Sequence, residues 1–354
     1  MPLAAGNGPA RAPAGAESDI VTFDTLPGWG ADAAVALLDG VRRHLAPEIR
    51  ARPHEASWLA YAGALLEPGG DPLAIVTQLF TARRLRADGF LTGYYEPVIE
   101  ASRTPTGPFQ TPLYRRPDDL VRTPPRPDLP GDGTFARRIP DGSLAPYFDR
   151  PAIAAGALAG RGLELAFVAD PVDAFFAQVQ GSARLAMTDG STVRIGYHGK
   201  SGHPYTAIGR VLIDRGVLPE GGATMATIRG ALAADPALVA PVLSANRSFV
   251  FFRERPSVDD ALGPVAAAGL PLVPWRSLAV DRSQIPLGTP VWVETEVPHH
   301  GPHRGVMIAE DTGTAIVGAA RGDVFFGSGP EAGRIAGEMK AAARLTLIEP
   351  AVAA

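Results

Sequence analysis

The first part of the chain carries apolar residues at the intervals expected of helices. They recur every three or four residues between positions 34 and 41, and again beyond a Pro-Gly-Gly break near residue 68. This spacing puts apolar side chains on one face of a helix, so we predict two or three helices between residues 31 and 86. The residues that define the pattern are Ala34, Leu37, Leu38, Val41, Leu73, Val76 and Phe80.

From Phe90 onward the pattern changes to short apolar runs divided by Pro and Gly, which is typical of strands joined by turns. Asp189 and Gly190 form a dipeptide that favours a hairpin turn between two such runs. Residues 117–130 are dominated by Pro, Asp and Arg and are predicted to be a connector. In the middle of the chain the pattern predicts strands at 163–168, 183–187 and 192–197, and helices at 171–178, 225–233 and 236–243.

The last section again alternates apolar runs with turn residues, and Gly263 with Pro264 predicts a boundary before it. No repeat is visible at a period of 20–50 residues, which argues against a solenoid or a propeller. The pattern predicts strands at 291–293, 306–309, 315–317, 324–326 and 345–348, and one helix at 331–343.

Length and composition restrict the protein class. The chain has 354 residues, enough for about two domains. A net charge of −4 gives no basic surface that would favour nucleic acid as a partner. The absence of cysteine excludes disulfides, thiolate catalysis and cysteine-ligated zinc. Residues 1–20 lack the apolar stretch of a secretory signal and are expected to be a disordered leader. The sequence contains no apolar run of about eighteen residues, so we predict no membrane span.

Two aspartates near the C-terminus are the strongest candidates for chemistry. Asp311 and Asp323 each lie beside apolar, β-forming residues and near glycines. Removal of solvent raises the pKa of a carboxyl group toward neutrality and makes it a proton donor. In a strand, Phe325 would lie on the same side as Asp323 and help to keep it protonated. A third aspartate, Asp281, precedes the turn-forming sequence around residues 286–288.

Each of these aspartates also has a plain structural interpretation as a turn former or a surface residue. Asp311 begins an Asp-Thr-Gly sequence, but an aspartic protease needs two such loops and the chain has one. The histidines His299, His300 and His303 invite a zinc hypothesis, but their Pro- and Gly-rich surroundings would not orient ligands. We therefore predict no metal and no cofactor.

Other polar and aromatic residues suit a carbohydrate. Sugar rings stack on aromatic side chains, and their hydroxyl and amide groups need neutral donors and acceptors. Paired tyrosines beside a carboxylate occur just before Pro97, and glutamine and serine side chains follow the helix predicted at 171–178. The predicted substrate-binding residues are Thr92, Tyr94, Tyr95, Glu96, Gln180 and Ser182.

Six segments together resemble the membrane-bound lytic murein transglycosylase A family, and they follow the family order from about residue 90 to residue 340. They read FLTGYYEPVIEASRTPTGPFQTPLYRRP, DPVDAFFAQVQGSARL, IGYHGKSGHPYTAIGRVLIDRG, NRSFVFF, PLVPWRSLAVDRSQIPLGTPVW and IAEDTGTAIVGAARGDVFFGSGPEAGRIAG. The last section resembles the domain named for three aspartates, which fall here at Asp281, Asp311 and Asp323.

The resemblance implies a mainly β fold with flanking helices. It consists of a double-psi β-barrel domain from residues 21–97 and 257–354, with a second β-barrel domain inserted at 98–256 and the glycan strand between the two. By similarity, Asp323 is the catalytic acid and base, and Asp311 and Asp281 support it in the site. The implied reaction cleaves the β-1,4 bond between N-acetylmuramic acid and N-acetylglucosamine and leaves a 1,6-anhydromuramic acid end.

The implied substrate, peptidoglycan, sets the expected location and partners. We expect the periplasm or the periplasmic face of the outer membrane, although the sequence shows no export signal and no lipidation cysteine. We expect a monomer that meets proteins of the cell-wall machinery. Two alternatives stay open at this point: a peptidoglycan hydrolase that uses two carboxylates, and a glycan-binding protein without catalytic activity.

Overall fold

The computed structural model describes residues 17–44, 69–256 and 259–351. Most of the predicted leader and the middle of the predicted helical region, residues 45–68, lie outside the described residues. The chain divides into two compact units. The first comprises Met1–Tyr95, Asp259–Gly327 and Glu338–Ala354, and the second comprises Glu96–Val258 and Ser328–Gly337.

The described residues contain many short strands and fewer helices. In chain order the strands are β1 Ser18–Val21, β2 Phe80–Leu85, β3 Gly89–Glu96, β4 Val98–Ser102, β5 Thr111–Tyr114, β6 Leu120–Arg122, β7 Phe135–Arg138, β8 Leu144–Ala145, β9 Glu164–Val168, β10 Ser182–Met187, β11 Thr192–Lys200, β12 Val250–Arg255, β13 Ser277–Val280, β14 Pro290–Val297, β15 Gly301–Asp311, β16 Arg321–Ser328 and β17 Lys340–Pro350. The α-helices are α1 Ala31–His44, α2 Pro72–Leu79, α3 Arg150–Ala154, α4 Pro171–Gln180, α5 Ile208–Asp214, α6 Met225–Ala234, α7 Val239–Ala245 and α8 Gly329–Glu338, with short 3₁₀ turns at Phe23–Thr25 and Pro236–Leu238.

The first unit is built on a closed barrel. Its strands are hydrogen-bonded in the order β1-β2-β17-β14-β15-β13-β16-β3, and β3 also pairs with β17. Six strands therefore form a ring, and β1 and β2 extend it as a flap. The length of β17 makes this possible, because residues 340–343 pair with β3 while residues 346–350 pair with β2.

Helix α1 covers one side of this barrel. Its apolar stripe, including Leu37, Leu38 and Val41, is fully buried against Trp292 and Ile308 of the sheet. The stripe predicted from the sequence is thus the face that packs on the core. The last turn carries Arg42, Arg43 and His44, which suits the negative end of the helix dipole.

The second unit has its own curved sheet, in the order β12-β11-β10-β4-β9-β5. An isolated parallel bridge joins Arg115, which directly follows β5, to Phe252 of β12 and so links the two edges. Helix α4 begins at Pro171, where the Asp170 side chain accepts a hydrogen bond from the Val172 amide, and it packs on this sheet. The predicted fold class, mainly β with flanking helices and a closed β-barrel, is confirmed.

Four local predictions are wrong. Residues 117–130, predicted to be a connector, contain strand β6 at Leu120–Arg122, which pairs with β7. The helical pattern around residue 80 ends at Leu79, and β2 begins at Phe80, since residues 80–84 pair with β17. Residues 315–317 form no strand but a loop in which Val317 is 71% exposed. The helix predicted at 331–343 ends at Glu338, since residues 341–343 instead pair with β3. Strand β13 was not predicted.

A glycine explains why residues 341–343 form a strand and not the end of the predicted helix. Gly89 of β3 lies opposite Ala343, and a Cβ atom at residue 89 would collide with the Ala343 carbonyl oxygen. The two backbones can therefore approach only because residue 89 has no side chain. Strand pairing then overrides the helix propensity of the alanines at 341–343.

In the part of the chain that the structure describes, no single helix is long and apolar enough to cross a bilayer. Met225–Ala234 and Pro236–Ala245 reach that length and apolar character only as a pair, and that pair is bent by 111°.

The packing around Phe325 gives a stability prediction. Phe325 of β16 is fully buried, and a Cβ atom at Gly263 would collide with its ring. We expect Gly263→Ala to destabilise the protein by about 1–3 kcal/mol, the usual cost of overpacking a core. Gly230→Ala, in helix α6 with no atom within 4 Å of the added methyl group, is the control and should be neutral or stabilising. Urea unfolding of both variants checks this, and equal stability would contradict the described packing.

Candidate active site

Two neighbouring strands of the barrel in the first unit bring the predicted chemistry together. On β3, Thr92 and Tyr94 point to one face because side chains alternate along a strand. On β16, Asp323 and Phe325 likewise share a face. The rings of Tyr94 and Phe325 are in contact, with centroids 5.3 Å apart. Alternation along both strands thus forms one polar and aromatic site.

Asp323 is half-buried and has one hydrogen bond within the described part of the chain. Its Oδ1 accepts from the Thr92 hydroxyl at 2.6 Å. Burial raises the pKa of Asp323 to about 6, and the nearby charge of Asp311 acts in the same direction. The Thr92 hydrogen bond and the Arg321 charge oppose this pKa rise only in part. The predicted protonation near neutrality therefore has a clear physical cause in this site.

Asp311 lies at the end of β15. Its Oδ2 accepts from the Tyr94 hydroxyl at 3.2 Å, and its Oδ1 accepts from the Ala267 amide at 3.1 Å. Burial raises the pKa of Asp311 to about 6, against the effect of these hydrogen bonds. The pKa of the Tyr94 phenol is also raised well above its usual value, first by burial and then by the charge of Asp311, so this hydroxyl is a donor. Two carboxyl groups with similar pKa values thus share one neighbourhood.

A buried glutamate that the sequence analysis missed lies directly behind Asp311. Glu310 is fully buried; its Oε1 lies 3.1 Å from Nε2 of His44, and its Oε2 accepts a short hydrogen bond from Ser277. Arg43 lies 3.4 Å from the same carboxylate. These contacts fix the end of β15 to β13 and to the last turn of α1. The sequence did carry a signal for this residue: Glu310 is a charged residue that directly follows the apolar run at 306–309.

Asp281 serves a different purpose from the other two aspartates. Its Oδ2 accepts from the Gly318 amide at 2.8 Å, and its Oδ1 accepts from the amide and hydroxyl of Ser283. These hydrogen bonds, led by that of the Ser283 side chain, hold the pKa of Asp281 below its usual value. Asp281 is therefore an ionised anchor for the loop that connects Asp311 to Asp323.

The other predicted binding residues are spread over both units. Tyr95 follows Tyr94 and so points to the opposite face of β3, where it is buried. Glu96 is fully buried in the second unit, where its carboxylate lies 2.7 Å from Arg184 and 2.8 Å from Arg194 and accepts from Ser328. Ser182 is buried at the start of β10, and Gln180 is half-buried at the end of α4. Thr92 and Tyr94 are thus the predicted binding residues that contact the aspartates.

The histidines considered as zinc ligands have other neighbours. His300 and His303 pack around Trp275, with ring centroids at 5.4 and 6.0 Å. His299 lies 3.1 Å from Glu338. Within residues 17–44, 69–256 and 259–351, no group of three or more potential ligands is arranged to hold a metal ion.

Comparison with known proteins identifies the family. Residues 90–253 match the model of the MltA specific insert domain, and residues 276–349 match that of the 3D domain. The chain is 34% identical to the membrane-bound lytic murein transglycosylase A of Vibrio cholerae over 285 residues, which cover 77% of this chain and 69% of that protein. It is 38% identical to the Escherichia coli K12 protein of that name, over 70% of this chain and 61% of that protein.

Solved structures agree with these sequence matches. A membrane-bound lytic murein transglycosylase from Agrobacterium tumefaciens superimposes with a TM-score of 0.85 at 38% identity, covering 94% of this chain and 97% of that one. E. coli MltA with bound chitohexaose superimposes with a TM-score of 0.72 at 29% identity, covering 95% of each chain. The fold of this chain is thus that of membrane-bound lytic murein transglycosylases. This chain belongs to the membrane-bound lytic murein transglycosylase A family.

The raised pKa of Asp323 predicts how stability depends on pH. A carboxyl group with a pKa near 6 in the folded protein and near 3.8 otherwise favours the fold when protonated, and this contribution is lost as pH rises through 6. Asp323→Asn removes the charge but keeps an acceptor for Thr92. We expect this variant to be more stable than wild type at pH 8, by on the order of 2 kcal/mol, and about equally stable at pH 4. Thermal unfolding at both values checks this, and a difference of opposite sign at pH 8 would contradict the desolvated site.

Proposed function

We propose that this protein is a peptidoglycan lytic transglycosylase that cleaves the β-1,4 bond between N-acetylmuramic acid and N-acetylglucosamine. The family to which the chain belongs supports this class of reaction. The observation that carries the proposal is the Asp323 carboxyl group, half-buried and with a pKa raised to about 6. Such a group can give a proton near neutral pH and take it back.

Asp323 acts first as an acid. Its proton goes to the glycosidic oxygen as the bond from that oxygen to C1 of the muramic acid breaks. Positive charge develops on the sugar ring, and the N-acetylglucosamine part leaves as an alcohol. This step leaves Asp323 ionised beside an oxocarbenium-like centre.

Asp323 then acts as a base. The 6-hydroxyl oxygen of the same muramic acid bonds to C1, and the Asp323 carboxylate removes the hydroxyl proton. The product carries a 1,6-anhydro ring, and Asp323 is protonated again. No water is consumed, so one carboxyl group suffices where an ordinary glycosidase needs two.

Asp311 supports this cycle through its charge. When ionised, it raises the pKa of Asp323 and favours the proton-carrying state. The Tyr94 hydroxyl and the Ala267 amide hold the Asp311 carboxyl in place. Asp281 supports the site indirectly, because its hydrogen bond to Gly318 fixes the loop between the other two aspartates.

The remaining parts of the proposal concern the substrate and its location. The first unit would be the catalytic domain, and Gln180 of the second unit would contact the glycan. Since Glu96 is held by two arginines, its role would be to stabilise the second unit. Because peptidoglycan lies outside the cytoplasmic membrane, the protein would act as a monomer at the periplasmic face of the outer membrane, alongside other cell-wall proteins.

A two-carboxylate hydrolase is the competing candidate, because Asp311 has a pKa like that of Asp323 and could activate water. The products distinguish the two reactions. A 1,6-anhydro end is one water lighter than the reducing end that hydrolysis leaves. Mass spectrometry of fragments released from purified murein sacculi therefore decides between them, and no release at all would favour a binding protein.

Asp323→Asn tests the catalytic assignment. We expect the release of anhydro fragments to fall by about a thousandfold, within the range that general acid–base catalysis supplies. Binding to sacculi should persist, because the fold and the Thr92 acceptor are kept. Asp281→Asn, which alters only the loop anchor, should lose less activity. Turnover by Asp323→Asn at the wild-type rate would remove Asp323 from its role.

A further inference from the structure

Arg321 lies beside Asp323 without forming an ion pair with it. Arg321 is half-buried, and no carboxylate of the described residues lies within 4 Å of its guanidinium. The guanidinium donates to the Thr92 hydroxyl oxygen at 2.7 Å and to the backbone oxygens of Phe90 and Gly322. A half-buried cation whose main side-chain partner is a neutral hydroxyl calls for an explanation.

The hydrogen-bond chemistry fixes the direction of the Thr92 hydroxyl. A guanidinium has only donors, so the Thr92 oxygen must accept from Arg321. A threonine hydroxyl has a single hydrogen, and the Asp323 Oδ1, at 2.6 Å, is its one acceptor among the residues that the structure describes. The hydroxyl therefore donates to Asp323.

This direction makes the two oxygens of Asp323 unequal. A proton on Oδ1 would leave the Thr92 hydrogen without an acceptor in the described residues. Oδ2 makes no hydrogen bond to the described residues. When Asp323 is protonated, the proton thus belongs on Oδ2, while Oδ1 accepts from Thr92 in both protonation states.

The ring of Phe90 helps to hold Arg321 in this arrangement. The guanidinium carbon lies 5.4 Å from the ring centroid, within the range of a cation–π contact. Every second residue of a strand lies on the same face. One face of β3 therefore carries Phe90, Thr92 and Tyr94, and one face of β16 carries Arg321, Asp323 and Phe325. The contact of Phe90 with Arg321 therefore lies on the same face as that of Tyr94 with Phe325, and the Thr92–Asp323 hydrogen bond lies between them.

We infer that Arg321 is a positioning residue: it directs the Thr92 hydroxyl to Oδ1 of Asp323, so that Asp323 carries and delivers its proton through Oδ2. Delivery of the proton to the substrate through Oδ2 rests on the proposed function. The structural part of the inference concerns the protonation of Asp323 and holds with or without turnover.

The test measures the titration of Asp323 directly. In protein labelled with ¹³C at aspartate carboxyl carbons, the resonance that disappears in Asp323→Asn identifies Asp323. Thr92→Val keeps the side-chain shape but loses the hydroxyl, and we expect the pKa of Asp323 to rise by about half to one unit because a hydrogen bond to the carboxylate is lost. Thr92→Ser, which retains a hydroxyl, should titrate as wild type does.

Substitutions of Arg321 test whether it acts on the titration of Asp323 by way of the Thr92 hydroxyl. Arg321→Met should also raise the pKa of Asp323, and Arg321→Lys, which keeps the charge and a donor, should restore most of the wild-type titration. Arg344→Met, which removes an exposed arginine from β17 of the same barrel, is the control and should leave the titration unchanged. Melting curves confirm that each variant is folded. A wild-type titration in Arg321→Met or in Thr92→Val would overturn the inference.

Kinetics separate the positioning role from a direct charge effect. At low pH, where Asp323 is protonated in every variant, misdirection of the hydroxyl should lower kcat in Arg321→Met by about two- to tenfold. In a Thr92→Val background the same substitution should cause no further loss of this limiting kcat, because the hydroxyl is already gone. Independent losses that multiply in the double variant would overturn the positioning role. If wild type forms no anhydro ends, the proposed function fails, while the titration results still decide the structural part.

Discussion

The site depends on the pairing of β3 with β16 within a closed barrel. Strand pairing sets which side chains of the two strands face each other, and the period of two puts every second residue of each strand on the same face. Thr92 and Tyr94 thereby meet Asp323 and Phe325, although more than 200 residues separate the two strands in sequence. A slip of one residue would exchange the face of every side chain on that strand. The barrel closure through β17 resists such a slip, since β3 is held on both sides.

Buried polar contacts next to Asp311 also fix the position of this aspartate. Glu310 is fully buried between Ser277 of β13 and His44 of α1, so the end of β15 that carries Asp311 cannot move independently of these elements. Its charge also adds to the rise in the pKa of Asp311, after the larger effect of burial. Breaking a buried charged contact leaves the remaining partner without compensation, which is usually costly. The loop between the two aspartates is fixed from its other side by Asp281.

Much of the site could be predicted because its signals are local. Asp311 and Asp323 stood out as carboxylates among apolar residues, and the strand period placed Phe325 beside Asp323. What the sequence could not show were contacts between distant segments: His44 with Glu310, and Arg321 with Thr92. The sequence also could not show that Arg184 and Arg194 lie beside Glu96, one of the predicted substrate-binding residues. The alanines at 341–343 have a local preference for helix, and pairing with a glycine-containing strand overrides it.

In the proposed mechanism one proton leaves Asp323 and returns to it, and the 6-hydroxyl group of the muramic acid takes the place of water. The most direct measurement is digestion of murein sacculi in water enriched in ¹⁸O, with mass spectrometry of the newly formed muramic acid ends. We expect ends that contain no ¹⁸O and that carry the 1,6-anhydro ring. Incorporation of one ¹⁸O atom at C1 of those ends would contradict it, because water would then have completed the reaction.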